Sequence, residues 1–323
     1  MLKRLAPVFL LMVLTPLVAE YLLGSLSMAQ IAYLPLMILF YGTGAVLVRE
    51  LARRTHRGWL TILLLALAYG ILEEGIACQS FFNPHYRGQH LLDYGFVTPL
   101  GIAVPWTLYV LSLHIVWSIA APVALVEGLF SQRRTEPWLG KIGFAVIAAV
   151  FAVGTAMVTL GTNQQEHFIA APVQFGGVAL AILASIGLAF VVPAARPKKE
   201  GAAPSPWIGG LVAFLAGSAF QLLYSQGGTV HHWPWQFVSG GMLALAIGVL
   251  LFGIAAGRGS GWSDMHRFAM AAGGLLVYCW LGFLVEITIF GTKMIGAHAA
   301  LVAAMLGLLI LAGFRARRDS IAV

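Results

Sequence analysis

Three ionisable residues in the first half of the sequence have the types and spacing of a buried chemical site. Glu73 and Glu74 are adjacent in the segment YGILEEGIACQSFFNPHY, and His114 follows in a later apolar segment. A buried glutamate can serve as a general base, and a histidine beside carboxylates suits a divalent-metal site or a proton relay. Ser118 lies four residues after His114, so a helix would place both side chains on one face.

Two further glutamates lie inside apolar segments and are candidates for the same site. An ionisable group in hydrocarbon costs at least ~2.5–3.5 kcal/mol on insertion scales, so it needs a partner or a purpose. With a rise of 1.5 Å per residue, Glu20 lies about 22 Å from one membrane edge, and Glu286 lies slightly deeper. His114 is placed close to the middle of the membrane. We therefore expect Glu20 and Glu286 to join the pocket around His114.

The orientation of the paired glutamates follows from helix geometry. Neighbouring residues on an α-helix point about 100° apart, so Glu73 and Glu74 are predicted not to share one face. One would face a cavity while the other pairs with a neighbouring helix. No HExxH-type zinc spacing occurs in the sequence. If a divalent metal binds, the candidate ligands are Glu73, Glu74, His114 and His85.

The elements that must position these residues are transmembrane helices. The chain has 323 residues, of which 60% are hydrophobic and 10% charged. Its mean hydropathy of +0.88 lies outside the range of soluble domains. A span needs roughly 20 apolar residues. The sequence predicts an all-α, polytopic transmembrane helix bundle of about ten spans, at residues 5–27, 30–49, 58–79, 103–128, 140–162, 174–194, 207–226, 236–256, 268–290 and 297–314.

The distribution of basic residues predicts the orientation of these spans. Of the 19 Lys and Arg residues, 17 fall in gaps on one side, and only Arg87 and Lys293 fall on the other. The positive-inside rule then places both termini in the cytoplasm, for a multi-pass protein of the inner (cytoplasmic) membrane. Interfacial anchors are predicted for four tryptophans at the cytoplasmic entrances of outward-going spans: Trp59, Trp138, Trp207 and Trp262.

The same asymmetry explains the net charge of +7, so this charge does not indicate a nucleic-acid partner. The lipid bilayer is the partner that the composition implies. We expect a single membrane domain over 1–323, with six spans in 1–194 and the polar-site half in 1–130. A flexible cytoplasmic linker rich in Pro, Ala and Lys is predicted at 195–206, before four spans in 207–323.

The paired glutamates and the later histidine resemble a known family of membrane enzymes. The CAAX-protease and bacteriocin-processing family is similar in carrying EExxxR, FxxxH and HxxxN motifs, which assemble a water-activating site inside the membrane. Glu73 and Glu74 match the first motif, although Cys78 stands where the arginine belongs. His114 matches the histidine of the second motif, with Val110 in place of phenylalanine, and HxxxN is absent. The resemblance covers about residues 65–120 and implies hydrolytic chemistry.

Three functions agree with these features. The first is an intramembrane hydrolase or transferase that acts on a membrane-embedded peptide or a lipid-linked substrate. Its catalytic candidates are Glu73, Glu74, His114, Glu20, Glu286 and Ser118. The second is a proton- or metal-coupled transporter of a small solute, in which the buried Glu and His residues form a relay or an ion site. The third is a non-catalytic assembly or sensor component.

Overall fold

The computed structural model describes residues 2–193 and 201–321. Within them, ten helices are long and apolar enough to cross a membrane, which confirms the predicted all-α, multi-pass fold class. They are α1 (Arg4–Leu22), α2 (Met28–Arg54), α3 (Trp59–Ala77), α4 (Val104–Leu129), α5 (Lys141–Glu166), α6 (Pro172–Val191), α7 (Pro206–Val230), α8 (Trp235–Ala256), α9 (Asp264–Phe290) and α10 (Ile295–Arg317). Helical structure begins at Leu2 and continues after α10 to Ile321. Each predicted span coincides with one helix.

The start of α1, the end of α10 and the arginine-rich connections lie at one end of the bundle, here called the basic end. Arg133 donates to the carbonyl of Arg4, near the start of α1. Arg315, at the end of α10, donates to the carbonyl of Leu129. The described residues of the predicted linker 195–206 also lie at this end, where the His266 ring of α9 is 2.7 Å from the carbonyl oxygen of Pro204. Residues 195–200 of the linker lie outside the described part of the chain, and the proposed division of the domain at this linker remains a prediction.

The opposite end, here called the loop end, carries the long connection between α3 and α4. This connection contains a short 3₁₀ turn at Tyr86–Gly88 and the strands β1 (Phe96–Val97) and β2 (Ile102–Ala103). The strands pair antiparallel, with Phe96 opposite Ala103. Gly95 precedes β1 with φ +73°, and a Cβ there would lie 2.6 Å from Pro105. Glycine is therefore required for the connection to pack against the start of α4.

The helices differ in how much of their surface lies inside the bundle. Between 56% and 67% of the most apolar window is buried in α1, α3, α4 and α9, against 6% to 17% in α5 to α8. Glycines permit the closest helix contacts in the core. A Cβ on Gly273 of α9 would lie 2.1 Å from the Gly210 carbonyl oxygen of α7, and one on Gly282 would lie 2.0 Å from the Leu22 carbonyl of α1. Helices α1, α3, α4 and α9, together with α2 at 44%, thus form the most buried part of the bundle.

Several of the helices change from α to π geometry along their length. The described part of the chain contains five π-helical segments: Leu17–Leu22 in α1, Ile38–Gly42 in α2, Glu73–Ala77 in α3, His114–Ala120 in α4 and Leu223–Val230 in α7. The i→i+5 pattern is rare, and π segments inside α-helices are frequent at functional sites. Four of the five lie in the first four helices, where the sequence places its polar candidates.

Candidate functional site

Glu73, Glu74 and His114 lie together in the buried centre of the bundle. Glu74 Oε1 is 2.7 Å from Nε2 of His114, and Glu73 Oε2 is 3.1 Å from Nδ1 of the same ring. The three residues are 1%, 6% and 4% exposed. One ligand atom from each lies within 4.8 Å of the other two. The imidazole therefore stands between two carboxylates, and we call these three residues the triad.

The prediction that Glu73 and Glu74 cannot share one face is wrong, because it assumed a regular α-helix. Both belong to the π segment Glu73–Ala77, and His114 begins the π segment of α4. The i→i+5 pattern changes the angle between successive side chains, and both carboxylates reach the same ring. Gly70 brings the two helices together, since a Cβ there would lie 3.0 Å from the Cβ of His114.

Hydroxyl and indole groups hold the second oxygen of Glu74. Ser80 donates a hydrogen bond to Glu74 Oε2. Trp106 Nε1 donates in turn to the Ser80 hydroxyl over 3.0 Å. Both oxygens of Glu74 therefore have partners, and its orientation is fixed from α3, from the following loop and from α4.

Glu73 is bound less completely than Glu74. Its Oε2 is at ion-pair distance from His114 but makes no hydrogen bond to any described residue, and the buried hydroxyl of Tyr69 also lacks one. Ser118, predicted to share a face with His114, has its hydroxyl 3.3 Å from Nδ1 of that ring. Glu73 thus carries an oxygen that is open to a further partner.

Glu20 lies beside the triad and is linked to it through an aromatic side chain. It accepts hydrogen bonds from Tyr41 over 2.5 Å and from Ser25 over 2.7 Å. The ring centroid of Tyr41 lies 6.1 Å from that of His114, as does the centroid of Tyr69. The structure therefore brings Glu20 next to the triad, with Tyr41 between them.

Glu286 lies in a separate polar cluster, and the expectation that it joins His114 in one pocket is not met. Its Oε1 accepts from Ser27 over 2.6 Å, and its Oε2 has no partner among the described residues. His298 of α10 packs over Gly282, one turn before Glu286, and neither of its ring nitrogens has a hydrogen-bond partner. Glu286 and His298 are both fully buried.

His85 is not close to the triad. It is exposed in the connection between α3 and α4, where its ring centroid lies 5.3 Å from that of His90. Of the four metal-ligand candidates, the structure thus groups Glu73, Glu74 and His114 and leaves His85 outside.

A second group of buried charges lies at the basic end, between α2 and α4. Arg49 is 3.0 Å from Glu127 and 2.8 Å from Glu50, and Arg53 binds Glu127 over 2.7 Å. We call these four residues the arginine network. Its remaining guanidinium hydrogens bind the carbonyls of Arg133, Arg134 and Arg57, and Glu50 also accepts from the backbone of Trp138 and Leu139.

The tryptophan beside this network corrects one prediction. Trp138 was expected to anchor the chain at the membrane interface, but it is 1% exposed. The guanidinium of Arg49 lies 3.6 Å from its ring centroid, which is a cation–π contact. Trp138 therefore belongs to the buried packing of the arginine network.

Three side chains around the triad were not predicted from the sequence: Tyr41, Ser80 and Trp106. Tyr69 stands four residues before Glu73, and helical spacing predicts that these two side chains share one face. Ser80 lies beyond the end of α3, and no sequence pattern connects it with Glu74 or with Trp106. The contact of Tyr41 with Glu20 depends on the packing of α1 against α2 and has no sequence signal.

The arrangement can hold a proton or a cation between oxygen and nitrogen donors. Two carboxylates and one imidazole are ligands that Zn²⁺ and other transition metals accept, and three protein ligands leave a position for water or substrate. The same groups without a metal form an acid–base pair, in which the imidazole exchanges a proton with either carboxylate.

A comparison with known proteins identifies the family. A family model described as an uncharacterized membrane protein family matches residues 9–212, which include most of α1, the whole of α2 to α6 and the triad. No curated protein and no solved structure matches the chain. Because the match covers more than half of the sequence, the chain belongs to this membrane protein family.

Proposed function

We propose that the protein is an intramembrane hydrolase or transferase whose centre is the triad of Glu73, Glu74 and His114. The observation that carries the proposal is the approach of both carboxylates to one buried imidazole, on π segments of two helices. Three titratable groups in the membrane interior are costly to keep there, which favours a chemical role over a packing role.

The hydrogen bonds suggest different roles for the two glutamates. Glu74 is held by His114 and Ser80, so it positions the imidazole and stabilises its charge. Glu73 has an oxygen without a hydrogen-bond partner and would accept the proton of an attacking water or substrate hydroxyl. Ser118 would help to orient the His114 ring through its hydroxyl. Glu20 would orient Tyr41, whose ring lies beside that of His114.

We further propose that the triad holds a divalent cation. A carboxylate oxygen or ring nitrogen from each residue lies within 4.8 Å of the others, close enough to converge on one ion. Such an ion would supply Lewis-acid chemistry and lower the pKa of a bound water. Oxygen and nitrogen donors with one open position fit a catalytic rather than a closed structural site.

The position of the site among membrane helices supports a membrane-borne substrate. A membrane-embedded peptide or a lipid-linked molecule can reach a centre among membrane helices by lateral diffusion. The predicted orientation, with both termini in the cytoplasm of a cell with an inner membrane, would place the triad in the extracytoplasmic half. The resemblance to the CAAX-protease and bacteriocin-processing family supports hydrolysis at Glu73, Glu74 and His114. Cys78 and Ser118 still depart from its motifs.

A proton- or metal-coupled carrier is the second candidate. The cluster of Ser27, Glu286 and His298 favours it, because these buried groups with unpartnered atoms would offer another proton site. Against it, His114 and Glu127 lie 13 residues apart on α4, about 20 Å, and the residues between them are mostly apolar. A non-catalytic assembly or sensor role has no contact in its particular favour.

The metal content of the detergent-purified protein tests the proposal. We expect one divalent ion per chain in the wild type, and its loss in the Glu73→Gln/Glu74→Gln double variant with folding retained. Glu136→Gln, at an exposed position of the connection between α4 and α5, is the matched control and should keep the ion. Absence of metal from the wild type would contradict the cation site and favour the proton-coupled carrier. Proton uptake by proteoliposomes would then test that carrier.

A further inference from the structure

A cavity at the loop end lies next to the triad, and none of the catalytic candidates lines it. It has a volume of about 190 Å³ and is lined by side chains of the α3–α4 connection, α4 and α7. The lining consists of two tyrosines and a tryptophan, three smaller polar side chains and one leucine: Tyr94, Tyr224, Trp106, Gln89, His90, Thr229 and Leu91. We call it the aromatic pocket.

Two hydrogen bonds connect the aromatic pocket with the triad. Trp106, in the pocket wall, donates through Nε1 to Ser80, and Ser80 donates to Glu74. A molecule that occupies the pocket therefore stands one indole and one hydroxyl away from the carboxylate that holds His114. This is the relation expected between a substrate-binding subsite and a catalytic centre.

The π segments of the helices also associate the pocket with the triad. The π segments of α1 to α4 carry Glu20, Tyr41, the triad and Ser118, and the remaining one, Leu223–Val230, carries Tyr224 and Thr229 of the pocket. Irregular helix geometry is costly and is retained where it positions functional groups. All π segments in the described residues therefore contribute to the triad, its neighbours or this pocket.

Stacking and a hydrogen bond hold the side chains of the pocket in place. Tyr224 stacks on Tyr109 with ring centroids 3.9 Å apart. Tyr94 donates from its hydroxyl to the carbonyl of Trp233 over 2.6 Å, which fixes the connection over the pocket. Burial raises the pKa of Tyr94, so this hydroxyl remains a donor at neutral and mildly alkaline pH.

The lining chemistry indicates the ligand. Among the lining residues there is no Lys, Arg, Asp or Glu, so the pocket has no strong charge with which to bind a phosphate or an ammonium group. Aromatic faces with an amide, an imidazole and a hydroxyl suit a neutral ring that carries hydroxyl groups. At about 190 Å³ the pocket is smaller than the roughly 300–1,000 Å³ typical of drug-sized sites, which fits a single ring.

An apolar groove lies between α7 and α8 and reaches Leu223, the residue before Tyr224 of the pocket. It has a volume of about 620 Å³, and its walls are formed by apolar residues of these two helices. Leu223 and Leu245 line it and also pack in the cluster that contains Tyr109 and Tyr224. A ligand with its ring in the pocket would thus have an adjacent apolar surface for a hydrocarbon chain.

We propose that the aromatic pocket binds the sugar ring of a lipid-linked sugar, whose apolar chain lies in the groove between α7 and α8. This inference rests on the proposed function, for which it names the substrate class. It makes Tyr224, Trp106 and Gln89 binding residues for the sugar.

Binding can be measured without catalysis, so the inference is separable from the proposed function. The probe is octyl β-glucoside below its micellar concentration, added to the Glu74→Gln protein in nanodiscs and followed by saturation-transfer NMR. We expect saturation of the sugar protons and a Kd that rises about tenfold in Tyr224→Leu, because an aromatic face is lost. Trp207→Leu, at an exposed position of α7, is the control and should leave the Kd unchanged.

Two further comparisons keep the test decisive. Gln89→Ala changes an exposed loop residue, so it should fold normally and weaken binding by about threefold to tenfold through one lost hydrogen bond. Methyl β-glucoside should bind more weakly than the octyl compound, because it lacks the chain for the groove. The inference is overturned if the Glu74→Gln protein with an unchanged pocket gives no saturation transfer to the sugar. Equal binding by this protein with and without Tyr224→Leu or Gln89→Ala would also overturn it.

Discussion

The arginine network and the triad are both buried groups of ionisable side chains, but only the network is fully matched. It combines two guanidiniums with two carboxylates, and its donors bind carboxylates or backbone carbonyls. The triad sets two carboxylates against one imidazole and leaves an oxygen of Glu73 without a hydrogen bond. Buried groups that are matched in this way stabilise a fold, whereas an unmatched group calls for a functional explanation.

The same helix carries members of both groups in different geometries. His114 begins the π segment His114–Ala120 of α4, and Glu127 lies in the regular α-helical segment Ala121–Leu129 that follows. The network therefore uses ordinary helix geometry, while the triad depends on irregular turns. We infer that the network secures the basic end of the bundle and that the triad is held for chemistry.

Breaking the network should have the largest effect on stability. Arg49→Gln leaves buried Glu50 without its closest cationic partner, takes one of two arginines from Glu127 and removes the contact with Trp138. We expect a loss of about 3–5 kcal/mol in the free energy of unfolding. Detergent-based unfolding beside the exposed control Lys141→Gln would measure it. A loss below about 1 kcal/mol would remove the distinction between the two groups.

Removing the triad carboxylates should abolish cation binding and leave stability almost unchanged, in contrast to the change in the network. The Glu73→Gln/Glu74→Gln variant should lose its bound cation while its free energy of unfolding stays within about 1 kcal/mol of wild type, since two partly unmatched buried charges become neutral. Cation binding to the wild type should also weaken as the pH falls, because the ligands must be deprotonated. Unfolding of the variant would instead assign the triad a structural role like that of the network.

Changes around the triad should have intermediate effects on the cation site. Ser80→Ala removes the hydroxyl that donates to Glu74 and accepts from Trp106. Loss of such an outer partner typically costs 10–100-fold in metal affinity, with about 1 kcal/mol of stability. Titration with Zn²⁺ against a competing chelator would show this. An unchanged affinity would mean that Ser80 does not position Glu74.

The smallest effect is expected at Glu286. This variant tests whether Glu286 lies outside the cation site. Glu286→Gln keeps the shape of the side chain and can still accept from Ser27, so stability should change by about 1 kcal/mol or less. Its cation content should equal that of the wild type in elemental analysis. A loss of the cation would place Glu286 in the site after all.

Most of the fold follows from the sequence, because apolar length is the constraint that a membrane imposes. Each of the ten predicted spans coincides with a helix. The sequence puts most basic residues in every second connection between spans, and the structure has an arginine-rich end. The strands β1 and β2 were not predicted, since each has only two residues.

The site is predictable only in part, because its geometry depends on π segments and helix packing. The types and depths of Glu73, Glu74 and His114 identify them, and the structure groups them. The regular helix assumed for Glu73 and Glu74 gave the wrong directions. Depth alone could not separate Glu20, which lies beside the triad, from Glu286, which pairs with Ser27 in the connection between α1 and α2.

X-ray absorption spectroscopy at the zinc edge tests the central claim most directly. The protein would be loaded with one equivalent of Zn²⁺ and compared with Glu73→Gln/Glu74→Gln. We predict one imidazole nitrogen and carboxylate oxygens at about 2.0–2.2 Å in the wild type, and the loss of this environment in the double variant. A spectrum without imidazole scattering, or one that is identical in the two proteins, would contradict a cation site at Glu73, Glu74 and His114.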